Sequence, residues 1–95
     1  MKAYIVERDL PGIGSVGTAE LATAAGTSNE ALARLAPRVQ WQHSYVAGER
    51  TFCLYLAEDE EAIREHARLS GFPATRIVPL VGRIDPTTAG HRGTI

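Results

Sequence analysis

Two β-rich runs, Val39 to Ala47 and Arg50 to Ala57, meet around Gly48-Glu49, and no other stretch constrains the fold as tightly. Read as a two-residue loop, the connection sets Tyr45 opposite Phe52, His43 opposite Leu54 and Trp41 opposite Leu56. Those six residues then share one side of the ribbon, while Gln42, Ser44, Val46, Thr51, Cys53 and Tyr55 share the other. A three-residue loop would shift the pairing by one and break the grouping. One side is therefore aromatic and aliphatic, with a single imidazole set among apolar groups.

The remaining elements fall around this hairpin. Lys2 to Arg8 reads as a strand, with Tyr4, Ile5 and Val6 at its centre, and stops at Pro11 and the two glycines Gly12 and Gly14. The loop runs on to Gly17. Thr18 is an expected N-cap and Glu20 puts charge in the first helical turn. Leu21, Ala25, Ser28, Leu32 and Leu35 follow at helical spacing, Gly26 invites a bend, and Pro37 closes the helix. Glu58 or Asp59 caps a second helix over Glu60 to Ser70, ended by Gly71. A last strand is expected from Arg76 to Ile84, with Pro79 marking it as an edge, and Asp85-Pro86 breaks it.

The order β-α-β-β-α-β predicts an α+β, ferredoxin-like domain over residues 1–86: an antiparallel sheet with two helices on one face. Residues 87–95 are expected to form a mobile tail. The uncovered sheet face must be hidden, and a second copy is the expected cover, giving a dimeric sandwich or barrel. Val46, Cys53 and Tyr55, on the second side of the hairpin, are the expected contact residues.

With 95 residues the chain makes one domain, and 10 Lys plus Arg against 11 Asp plus Glu leave a net charge of −1. That balance argues against a nucleic-acid partner, which would need a basic stripe. No apolar run approaches the roughly 20 residues of a membrane span. The opening MKAYIVERDL meets Glu7, Arg8 and Asp9 too early for a signal-peptide apolar region. A single cysteine forbids an internal disulfide, so the expected setting is the reducing cytoplasm.

On the second helix Ala62, His66 and Leu69 form the buried stripe, and Glu60, Glu61, Arg64, Glu65 and Arg68 the solvated side. His66 has two readings. It is a packed imidazole whose nitrogens meet a backbone carbonyl and a hydroxyl, or a functional group standing over the sheet-borne His43. Two imidazoles suit nickel, zinc, copper or iron, with Glu7 as a carboxylate or Cys53 as a thiolate completing the set. The expected pairing places Cys53 opposite to His43's side, so it would join only through a second subunit or another register. No close-spaced ligand motif supports the metal reading. Trp41, Tyr45 and Tyr55 read as core or subunit-contact aromatics, and His91 as an exposed tail residue. Gly12-x-Gly14 reads as a turn.

Further motifs carry a resemblance. Tyr4-Ile-Val-Glu-Arg8 with Pro11-Gly-x-Gly14, Trp41-x-x-Ser-Tyr-Val46, Cys53-x-Tyr55-x-Ala57, Asp59-Glu-Glu-Ala-Ile-Arg-Glu-His-Ala67, Gly71-Phe-Pro-Ala74 and Ile84-Asp-Pro-Thr-Thr88 are its residues. Over Lys2 to Thr88 the chain resembles a family of small bacterial proteins catalogued as a domain of unknown function, with a nickel-binding member. The resemblance implies a ferredoxin-like subunit, a homodimer and bound nickel. His66, Cys53, Glu7 and Tyr45 fall on matching family positions, whereas His43 stands where the family more often has an acidic residue.

The expectation is a small homodimeric metal-binding protein, for Ni2+, with a buffering, storage or sensing role and with His66, His43, Glu7 and Cys53 as candidate ligands. The alternatives are a cofactor-free isomerase or monooxygenase using His66 as acid/base in a dimeric ferredoxin-like barrel, and a non-catalytic dimer without ligand.

Overall fold

The computed structural model describes residues 1–94, with side-chain surroundings given for residues 1–90. Ile95 and the His91 side chain, expected to be exposed, lie outside the described residues. Strands β1 (Lys2–Asp9), β2 (Val39–Ala47), β3 (Arg50–Ala57) and β4 (Arg76–Pro79) form one antiparallel sheet in the order β2-β3-β1-β4. Helix α1 (Thr18–Leu35) links β1 to β2, and α2 (Glu60–Ser70) links β3 to β4.

Local chemistry explains the element ends. Gly48, at φ 62°, opens the two-residue turn between β2 and β3. Asp59 accepts a hydrogen bond from the Ala62 N–H at 2.8 Å and so caps α2. Gly71, at φ 81°, ends that helix with its N–H on the Ala67 carbonyl. Gly17 rather than Thr18 is the N-cap of α1, and the helix runs through Gly26 as one element. β4 stops at Pro79, well short of the expected Ile84. The Leu80 N–H still reaches the Ala3 carbonyl, but Val81 is fully and Ile84 largely in solvent. Beyond them Pro86–Thr94 winds as a 3-10 helix.

The core lies between the sheet and the two helices. Tyr4 and Val6 from β1, Cys53, Tyr55 and Ala57 from β3 and Val39 from β2 pack with Leu35 of α1 and Ala62 and Ile63 of α2. At about 25 cal/mol per Å2 of apolar surface, this contiguous burial is the main stabilising contribution. The helices therefore cover the side that carries Cys53 and Tyr55. The sequence predicts those residues on the subunit-contact side, because alternation cannot decide between two sides that are both apolar.

A second correction concerns Trp41. His43 opposes Leu54 and Tyr45 opposes Phe52, as the two-residue turn dictates, but Trp41 opposes Tyr55 instead of Leu56. A bulge at Gln42 inserts one residue between the two registers. Trp41 is thereby turned to the helix side, where its indole N–H donates to the Ser44 hydroxyl at 2.9 Å.

Candidate functional site

The strand alternation that buries Tyr4 and Val6 also buries Arg8, which is only 3% exposed. Its Nη1 donates to the carbonyls of Phe72 at 3.1 Å and Pro73 at 2.9 Å. Nη2 donates to the Tyr55 hydroxyl at 3.3 Å and lies 3.4 Å from Nδ1 of His66. The ion pairs of the described residues do not include Arg8, so its charge rests on neutral acceptors alone.

His66 is fully buried on α2 beside this group. A guanidinium can only donate, so the Nδ1 facing Arg8 must accept, and the proton sits on Nε2. That Nε2 donates to the Ser28 carbonyl at 3.3 Å, with the Ser28 hydroxyl also at 3.3 Å. Burial, then the neighbouring Arg8 charge, push the imidazole pKa below its usual value, while the Ser28 carbonyl opposes the shift. Tyr55, tilted against the His66 ring at 5.5 Å, has its phenol pKa raised by burial, with Arg8 opposing. Both groups are held neutral. The packed-imidazole reading of His66 matches these contacts, with a guanidinium added on the second nitrogen.

Between α1 and the sheet lies a cavity of about 480 Å3. Its inner end carries Arg8, Ser28, Thr51, Cys53 and Tyr55, and its body is walled by Leu21, Trp41, Ala24, Ala25 and Phe72. Val16 and Val46, both exposed, stand where it opens. The outer wall is the 3-10 turn Ile13–Ser15 in the β1–α1 loop, seated on the hairpin turn. The Leu10 N–H donates to the Glu49 carbonyl at 2.9 Å. Gly14 packs so closely on Gly48 that a Cβ would overlap the Gly48 carbonyl oxygen. The Cys53 thiol lies 3.3 Å from the Thr51 hydroxyl at the cavity floor.

The four candidate ligands divide between the two sheet faces. His66 and Cys53 lie on the helix side. His43 and Glu7 lie on the outer face, so His43 does not stand under His66 as expected from the sequence. The cause is the reversal of sheet sides described above. Outside, the exposed His43 ring meets Tyr45 edge-on at 5.2 Å, and Glu7 binds Arg50 at 2.9 Å and Arg76 at 3.7 Å. Among the described residues no three His, Cys, Asp or Glu side chains converge where they could hold a metal ion. Sequence reasoning missed Arg8, although its place two and four residues after Val6 and Tyr4 was a readable signal for the buried side.

The strand order, with both helices on one face, defines a small ferredoxin-like protein. Residues 4–80 match the family described as nickel responsive protein, SCO4226-like, and the chain belongs to that family. The crystal structure of SCO4226 from Streptomyces coelicolor A3(2) superposes with a TM-score of 0.71, covering 86% of this chain and 99% of that one. The two are 15% identical, so the likeness speaks for a shared fold. No curated protein matches this sequence. No helix among the described residues is long and apolar enough to cross a membrane.

Proposed function

We propose that this protein is a nickel-binding homodimer with a buffering, storage or sensing role, whose ions are held at the outer sheet face between two copies. Membership of the nickel responsive family carries the reading. A nickel(II) ion takes four to six donors, and one described chain gathers fewer than three at any point. Donors from a second copy supply the difference. The outer face has the means to bring that copy in: Ile5, Phe52, Leu54, Leu56 and Val78 are half-buried there, and Tyr45 is 66% exposed. It also carries His43 and Glu7, an imidazole and a carboxylate that suit nickel better than calcium or magnesium. Glu7 joins only if Arg50 and Arg76 release it, which makes His43 the first ligand to test. His66 has both nitrogens engaged and the Cys53 thiol is buried on the far side, so they are left out of this site.

The acid/base alternative is weaker. His66 does not line the cavity, and neither of its nitrogens is open to a substrate proton.

Calorimetric titration of the full chain with Ni2+, with sedimentation in parallel, tests the reading. Wild type should bind at about pH 7.5 and sediment at twice the 10.2 kDa chain mass. His43→Ala should lose the nickel and His66→Gln should keep it. Undiminished nickel binding by His43→Ala, or a monomer that binds it fully, overturns the proposal.

A further inference from the structure

We infer that the cavity between α1 and the sheet is a binding site for an apolar monocarboxylic acid, with the Arg8 guanidinium receiving the carboxylate. The inference concerns the opposite sheet face from the nickel reading and stands or falls separately from it.

Arg8 is what calls for such a ligand. A buried guanidinium normally has a carboxylate beside it, because an unpaired charge in a low-dielectric interior is costly. Arg8 is 97% buried in effect, at 3% exposure, and its contacts are two carbonyls, a phenol and a neutral imidazole. Those contacts take up the four Nη hydrogens and fix the orientation of the guanidinium, so a carboxylate finds the Nε–H as its donor and the cation as its counter-charge. The neighbours add no negative charge of their own: Tyr55 and His66 are both held neutral. The positive end of the cavity therefore lacks a counter-charge among the described residues.

The rest of the cavity defines the ligand's body. From Arg8 outward the walls are Trp41, Leu21, Ala25 and Val46, and the added polarity is uncharged: the hydroxyls of Ser28, Ser44, Thr51 and Tyr55 and the Cys53 thiol. A volume of about 480 Å3 lies within the usual range for small-molecule sites. A charged head that pairs with Arg8, continued by an aliphatic or aromatic body that displaces water from Trp41 and Val46, complements both ends. Inorganic anions would leave the apolar walls wet. Neutral lipids would leave the guanidinium unpaired.

Trp41 is the chain's single tryptophan and lines the cavity, so its emission reports occupancy. Decanoate, added to the full chain with a chelator present so that no metal on the outer face can capture it, should shift Trp41 emission saturably. Decan-1-ol should bind at least about tenfold more weakly and decylamine more weakly still, because only the carboxylate pairs with the buried cation. Ala25→Phe fills the cavity without touching Arg8 and should abolish the decanoate response while the far-ultraviolet dichroism stays that of wild type. Arg8→Gln should erase the preference for the acid over the alcohol. If that variant fails to fold, the wild-type comparison of acid and alcohol decides alone. Equal binding of decanoate and decanol, no saturable shift at millimolar decanoate, or an undiminished response in folded Ala25→Phe each overturns the inference.

Discussion

The two faces of the sheet are built from the same three long strands, yet they are made for different neighbours. The inner face is committed: Val6 and the Ile63 of α2 that packs toward it are wholly buried, and the buried charge there, Arg8, is fixed by four acceptors from β3, α2 and the α2–β4 connection. The outer face carries apolar side chains of comparable bulk, Ile5, Phe52 and Leu54, that neither helix covers, with its ions paired in the partly exposed cluster of Glu7, Asp9, Arg50 and Arg76. The difference teaches that hydrophobicity alone does not say which surface becomes a core. The connecting helices decide that.

Substitutions that separate the faces should differ in size. Ile63→Ala, on α2 against the inner face, should cost about 2–5 kcal/mol in urea unfolding, the range for deleting a large buried aliphatic group. A loss below 1 kcal/mol would show that the helix layer packs loosely on the sheet. Gly14→Ala forces the loop off the hairpin turn and should cost about 1–3 kcal/mol, while loosening the cavity wall enough to weaken decanoate binding. Unchanged unfolding there would mean that the loop does not rest on Gly48 in solution.

His66→Gln should cost about 1–2 kcal/mol by leaving Arg8 or Ser28 with a poorer partner. The same residue predicts a pH dependence. Its folded pKa lies below the usual 6.5, so the unfolded chain binds the proton first. The stability contributed by neutral His66 is fully present above about pH 6.5 and is lost progressively as pH falls below it. His66→Gln should flatten that part of the stability profile. A profile as steep as wild type's would assign the acid sensitivity to other groups.

Leu54→Lys, on the outer face, should have the smallest effect on the dilute monomer, within about 1 kcal/mol, because the side chain gains water without emptying a core. Its effect should appear in sedimentation, as loss of the dimer. A variant that still sediments as a dimer would place the contact between copies elsewhere.

Much of the fold was legible in the sequence because short-range chemistry carries it. Gly48 fixed the turn, and with it the pairing of His43 with Leu54 and Tyr45 with Phe52. Asp59 and Gly71 bracketed α2, and Pro37 ended α1. The bulge at Gln42 was not legible, since one extra residue in an edge strand leaves no mark in composition, and it alone moved Trp41. The choice of inner face was hidden for a different reason: both sides of β3 alternate between residues that could be buried. That choice separated His43 from His66. Arg8 was passed over, although its phase with Tyr4 and Val6 argues for the interior.

The extra residue at Gln42 also bears on self-assembly. β2 forms one border of the sheet, and a regular nine-residue strand there would present an unbroken row of amide and carbonyl groups to any passing chain. The bulge interrupts that row near its middle. The opposite border, β4, is only four residues long and ends in a proline that has no N–H to offer. Growth by lateral strand addition is thus discouraged at both margins. What remains for contact between copies is surface against surface rather than edge against edge.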